Sequence, residues 1–221
     1  MRPFFTRLSL IFIFAAFSTA NAFADPAQGL FGSTEYKSTE LGAFKKWASI
    51  RVRHQNDQKP IINDIKNTYN RCRRTKNFKC VNEEWQDVIN SLKNKSENVK
   101  IDSVNRYLNN SPYITDMMNW QQKDYWATIK QFLGKNGDCE DYAIAKYYSL
   151  KKLGFSAQQM RIVIVHDNNL NVAHAVLAVY IQDKIWILDN QISNIITEDK
   201  VIHYRPLYSI NENAWWLHKI S

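Results

Sequence analysis

Gly137-Asp-Cys-Glu-Asp-Tyr-Ala-Ile-Ala-Lys-Tyr-Tyr148 decides how this chain is read. Gly134-Lys-Asn-Gly137 is a turn, Asp138 stands at an N-cap position, and Cys139 to Leu153 forms one helical pattern that ends at Gly154. Cys139, Ala143, Tyr147 and Leu150 share a face, so the cysteine enters the first turn of a helix turned toward a core. Downstream, the pattern changes. Met160–His166, Ala173–Ile181 and Lys184–Leu188 are rich in β-branched and aromatic residues and read as strands, the last two joined by the short link Gln182-Asp183 and therefore antiparallel. Upstream, from about Thr39 to Leu108, apolar residues recur at helical spacing: Leu41, Phe44, Trp47, Ala48 and Ile50, then Trp85, Val88, Ile89 and Leu92, then Val104, Tyr107 and Leu108. Asn109-Asn110, Pro112 and the polar run Asn119–Asp124 mark a connection. Helices followed by a strand cluster predict an α+β domain, with N-terminal helices to about residue 110 and a core over about 111–215 in which the Cys-bearing helix packs on an antiparallel sheet.

The first 24 residues stand apart. Arg2 and Arg7 precede the apolar run Leu8–Phe17, and Ala20-Asn-Ala22 and Ala22-Phe-Ala24 supply small-residue exits, the layout of a secretory signal peptide cleaved after Ala22 or Ala24. About ten apolar residues are too few to span a bilayer, so no permanent membrane anchor is expected. Of 29 Lys+Arg, two leave with this segment, and 27 against 21 Asp+Glu gives the mature chain, from residue 25, a charge of +6. Export argues against nucleic acid as the partner of that charge and places the three cysteines in an oxidising compartment. Cys72 and Cys80 bracket a basic stretch and are expected to pair, leaving Cys139 free; a disulfide at Cys139 is the alternative and would abolish thiol chemistry there.

A thiol at a helix N-terminus is favoured as thiolate by the positive end of the dipole. Catalysis by it needs a base and a group that orients the base. His174 on the second strand and Asp189 after the third, 15 residues apart across one short turn, are placed to meet. Asp138, Glu140 and Asp141 crowd negative charge around Cys139 and push its pKa up, an arrangement that a hard cation with oxygen ligands would relieve. Acids in a first turn also favour the dipole without any metal. The Cys139 backbone N–H and the Trp126 indole are the candidate oxyanion donors, with core packing the alternative role for Trp126. His166, Asp167, His174 and His203 lack the spacing of a zinc site.

The Gly137–Tyr148 block, with Leu153-Gly154, Ala173-His-Ala-Val-Leu-Ala178, Ile187-Leu-Asp-Asn190, Val104-Asn-Arg-Tyr107 and Asp124-Tyr-Trp-Ala127, closely resembles the bacterial transglutaminase-like cysteine proteinases of the LapG type, over roughly residues 40–215. The resemblance implies a papain/transglutaminase-like core with Cys139 as nucleophile, His174 as general base and acid, Asp189 as the orienting group, and calcium held by Asp138, Glu140 and Asp141. It further implies a periplasmic, calcium-dependent endopeptidase. Such an enzyme cuts the N-terminal region of a large repeat adhesin at a pair of alanines, releasing a biofilm cell, and is sequestered by an inner-membrane cyclic-di-GMP receptor of the LapD type. Two other readings remain: an acyl transferase or amidase using the same acyl-enzyme, and an inactive receptor-binding module.

Overall fold

The computed structural model describes residues 29–58 and 78–220. Residues 1–24, expected from sequence to be a signal peptide, and Cys72 lie outside the described residues, as does most of the basic stretch. Among the described residues there are six α-helices, α1 (Lys45–Asp57), α2 (Phe78–Leu92), α3 (Glu97–Asn109), α4 (Asp116–Trp120), α5 (Ile129–Lys135) and α6 (Cys139–Lys152). The strands are β1 (Thr34–Ser38), β2 (Met160–Asp167), β3 (Val172–Ile181), β4 (Lys184–Leu188), β5 (Ile196–Thr197), β6 (Tyr204–Ile210) and β7 (Trp215–Lys219). They form one antiparallel sheet in the order β1-β7-β6-β2-β3-β4-β5. The α+β expectation holds, and none of these helices is long and apolar enough to cross a membrane.

α6 is more enclosed than one apolar face requires. Every residue from Asp141 to Leu150 is buried. The helix lies on β2 and β3 on one side while α3 and α5 cover the other, so even its polar positions are removed from water. Its exit follows the expected signal: Gly154 has φ +99°, where a side chain would be strained, and the Phe155 N–H returns to the Leu150 carbonyl at 3.1 Å. Its entry is equally constrained. A Cβ at position 137 would collide with the Asp141 carboxylate, so glycine lets that side chain fold back across the turn. The main core gathers Trp47, Trp85, Ile89, Ile101, Leu108, Phe132, Tyr147 and Leu177 around α6.

The three predicted strands are present with nearly the predicted ends, and four others join them. β6 carries Pro206, a residue that argues against a central strand because it removes a ladder N–H. The structure accommodates it with a register shift: Ile164 faces Tyr208 while Val165 faces Pro206, leaving Leu207 as the extra residue of a bulge. β1, Thr-Glu-Tyr-Lys-Ser, is a short charged edge strand held by pairing to β7. It is tied from its own side chain as well, because Glu35 receives both Arg161 Nη1 contacts, at 2.9 and 2.8 Å.

Candidate active site

Cys139 is the first residue of α6, directly after Asp138 at the N-cap. Its partners come from the sheet. His174 lies near the start of β3 and Asp189 follows the last residue of β4, and the β3–β4 register sets Leu177 opposite Leu188. Nε2 of His174 is 2.9 Å from Asp189 Oδ1, with the residues 3% and 1% exposed. The same carboxylate accepts the Gln191 N–H on Oδ1 at 2.8 Å and the Tyr204 O–H on Oδ2 at 2.6 Å. Burial pushes the Asp189 carboxyl up, but the hydrogen bond and charge of His174, with the Tyr204 and Gln191 donors, hold it below its ordinary value.

An ionised Asp189 can only accept, so Nε2 of His174 carries its proton. The basic lone pair then belongs to Nδ1, which meets the Gln191 side-chain Nε2, a donor, at 3.4 Å. Tyr204 and Gln191 were not among the residues singled out from sequence. The Asp189 carboxylate has four lone-pair positions to satisfy once it is buried, which is the signal that further donors had to be found nearby.

The thiol is held in its protonated form. Burial raises the Cys139 pKa first, and the Glu140 charge, a hydrogen bond from the thiol to Glu140 Oε2 at 3.2 Å, and Asp138 raise it further; a backbone hydrogen bond from Ala175, next to His174, acts the other way. The repulsion expected from the flanking acids is present, but burial is the first cause of the upward shift.

Ligand oxygens of Asp116, Asp138 and Glu140 lie within 4.8 Å of one another. Asp138 does not cap its own helix with its side chain; Oδ2 instead accepts the Asp116 N–H at 3.2 Å. Asp141 is not in this group. Its Oδ1 accepts the Ala127 N–H at 2.6 Å, which fastens the segment before α5 to the start of α6. Asp116, 22 residues upstream and in the stretch read from sequence as a connection, takes the third place and is 2% exposed. Burial raises Asp116 to about 6, Glu140 to about 8 and Asp141 to about 9, and it raises Asp138 as well, with neighbouring carboxylates adding to each. Oδ1 of Asp116, Oδ1 of Asp138 and Oδ2 of Asp141 are buried without a hydrogen-bond donor. Clustered carboxyl oxygens with orphaned lone pairs are the donor set a hard divalent cation takes once it displaces their protons.

One consequence is measurable in chelator. The folded protein holds protons on Glu140 and Asp141 up to about 8 and about 9, whereas the unfolded chain releases them near pH 4. The folded state therefore binds more protons across that window, and stability falls as pH rises through it. Thermal melts in chelator should show a lower midpoint at pH 8 than at pH 5.5, with added calcium closing most of the gap. An unchanged difference with calcium would show that the acids do not share a cation.

Trp126, a candidate oxyanion donor, is 7% exposed and packs in the main core, and its carbonyl accepts Arg53 Nη2 at 2.5 Å. Cys139 is the free cysteine among the described residues. The pairing expected of Cys80 depends on Cys72, which lies outside them.

Comparison with known proteins gives a consistent set of matches. A family model described as bacterial transglutaminase-like cysteine proteinase matches residues 61–218. The solved structure of Legionella pneumophila LapG is 34% identical with a TM-score of 0.59, over 63% of this chain and 77% of that one. Its calcium-bound form is 29% identical with a TM-score of 0.60, over 79% and 90% of the two chains, and its EGTA-treated form 31% identical with a TM-score of 0.61, over 73% and 89%. A search of curated proteins returned no match.

Proposed function

Because this chain belongs to the bacterial transglutaminase-like cysteine proteinase family, we propose that it is a calcium-dependent periplasmic endopeptidase that uses Cys139, His174 and Asp189 to cut the N-terminal region of a large surface adhesin at a pair of alanines. The carrying observation is the Asp189-bound imidazole of His174, whose Nδ1 carries the basic lone pair and meets only the long 3.4 Å contact from Gln191, on the strand packed against the helix that begins at Cys139.

In this reading His174 Nδ1 takes the Sγ proton and the thiolate attacks the scissile carbonyl carbon. The oxyanion meets the residue-139 amide, which has no acceptor inside the helix because it is in the first turn. The imidazolium, held by Asp189, gives its proton to the leaving amine as the C–N bond breaks, producing a thioester. His174 then deprotonates a water, which attacks the thioester and returns the thiol. Asp116, Asp138 and Glu140 would hold the calcium ion, which supplies positive charge that offsets the three carboxylates and lowers the cost of a thiolate beside them. The proposal for calcium is supported by the orphaned acid oxygens and by the calcium-bound form of the Legionella protein. Export by the N-terminal segment, control by an inner-membrane cyclic-di-GMP receptor and release of biofilm cells belong to the same proposal.

The test is direct. Purified mature protein is incubated with the N-terminal region of a surface adhesin encoded beside it, in calcium or in EGTA, and the new N-terminus is sequenced. A single cut between two alanines, in calcium alone, is expected. Absence of a cut in either condition, or transfer of the acyl group to an added primary amine in place of hydrolysis, would overturn the reading.

A further inference from the structure

The segment between α4 and α5 ties the acids at the start of α6 to α1. Tyr125 N–H is donated to Asp116 Oδ2, and Ala127 N–H to Asp141 Oδ1 at 2.6 Å. The carbonyl of Trp126 belongs to the same peptide unit as the Ala127 N–H and points the other way, where Arg53 Nη2 meets it at 2.5 Å. One planar peptide is therefore gripped at both ends, by a guanidinium on α1 and a carboxylate on α6. Ala127 and Trp126 are both buried.

Arg53 is committed to this segment. Its Nη1 donates to Tyr125 Oη at 2.8 Å and to Gln131 Oε1 at 2.6 Å, and the guanidinium lies 4.8 Å from the Tyr125 ring centroid. Gln131 Nε2 donates to Tyr125 Oη at 2.9 Å, and Gln131 also closes the capping box at Thr128, whose hydroxyl reaches Asp57 Oδ2 at 2.6 Å. Asp57 is on α1, one turn beyond Arg53. Residues 125–128 lie outside any helix or strand, so these side chains hold main chain that no ladder holds.

The consequence falls on the acids. A carboxylate ligand depends on the groups that orient it, and losing them weakens the metal site almost as losing a ligand does. Asp116 has Oδ2 fixed by the Tyr125 amide and Oδ1 left without a donor; Asp141 has Oδ1 fixed by the Ala127 amide and Oδ2 left over. Asp141 adjoins Glu140, so fixing its carboxylate fixes the turn that presents Asp138 and Glu140. Hydrogen bonds in series polarise one another, and a cation on the Trp126 carbonyl makes the Ala127 N–H a stronger donor.

We propose that Arg53 is a positioning residue for the acidic site, acting through the Trp126–Ala127 peptide on Asp141 and through Tyr125 on Asp116. Its hydrogen bonds reach neither the acids nor Cys139 and His174; it works through the main chain between. The inference rests on the calcium reading of these acids, so one arm of its test needs neither calcium nor substrate.

The experiment compares native protein with Arg53→Met. Trp47-Ala48 and Trp126-Ala127 are the Trp-Ala pairs of the chain, so labelling tryptophan at the carbonyl carbon and alanine at nitrogen selects these amides in a magnetic resonance spectrum, and Ala48→Ser assigns them. In EGTA, the Ala127 amide proton is expected to move upfield in Arg53→Met while that of Ala48 stays, because the bond to Asp141 weakens. Isothermal titration with calcium chloride, at a temperature where circular dichroism shows both proteins folded, is expected to give a Kd about tenfold higher for Arg53→Met, the low end of what an orienting partner is worth. A general loss of stability moves neither reading in a folded sample. An unmoved Ala127 proton overturns the grip on the peptide, and an unchanged Kd overturns the positioning role. Should Arg53→Met fail to fold, Arg53→Lys decides on the same readings: one ammonium cannot span the acceptors of a guanidinium fork, so the same changes are expected at smaller size, and native values refute the inference. If the native protein binds no calcium, the metal reading fails and this role with it; if it binds and Arg53→Met binds equally well, this role alone fails.

Discussion

Replacing Cys139 by alanine should leave a folded protein with no measurable peptide cleavage. Of the single substitutions considered, it removes the most activity for the least structural disturbance, because the thiol is the atom that becomes covalently bonded and its one side-chain hydrogen bond is to Glu140. His174→Ala should come close to it, at roughly 10³- to 10⁴-fold or more, since without the imidazole nothing takes the thiol proton or protonates the leaving amine. Asp189→Asn should cost less than His174→Ala. An amide can still accept from His174 Nε2, while the negative charge that holds the imidazolium is gone. Combining the three should cost little more than Cys139→Ala alone, because residues acting as one unit are not additive. Steady-state rates with melting curves for each variant check this. A Cys139→Ala protein that still cuts would remove the thiol from the chemistry altogether.

The second large effect concerns the acids. Asp138→Asn combined with Glu140→Gln should lower calcium affinity by more than about 100-fold, because it leaves one charged ligand of three and calcium sites set their affinity largely by ligand charge. Activity at micromolar calcium should vanish with it. The same double variant should melt higher than the native protein in chelator at pH 8, since two mutually repelling buried acids are gone. That opposite pair of outcomes separates a binding site from a merely fragile turn. Asp116→Asn should weaken binding in the same direction. Asp141→Ala should chiefly destabilise, because it releases the Ala127 amide and leaves a buried donor unpaired. Isothermal titration and melting curves distinguish them, and native affinity in the double variant would contradict the assignment.

Much of this was legible in one dimension because the decisive features are local. The turn at Gly137, the helix from Cys139 and the tight link at Gln182-Asp183 are short-range signals, and the last of these alone brings His174 and Asp189 to one end of a hairpin. What escaped was long-range. Asp116 reaches the acidic group only because α4 docks beside the start of α6, and no spacing rule connects positions 22 residues apart through a loop. Tyr204 lies on β6, whose Pro206 hides the strand, and it reaches Asp189 because β6 pairs with β2, the neighbour of β3. Asp141, expected as a calcium ligand on grounds of charge, gives Oδ1 to the Ala127 amide and keeps Oδ2 buried without a donor. Lys146 reads in sequence as an ordinary helical lysine; that it is completely buried follows from α6 being covered on all sides, which its near-uniform burial shows and its polar composition conceals.

The claim that joins these observations is that Cys139 forms the acyl bond. Mixing the protein with the adhesin region in calcium, quenching in acid within the first turnover and measuring peptide masses tests it most directly. The account predicts that the peptide containing residue 139 gains the mass of the N-terminal product as a thioester, that the adduct decays as free product appears, and that it is absent in EGTA and in Cys139→Ala. Cleavage that proceeds with no adduct at residue 139, or with an adduct elsewhere, would contradict it.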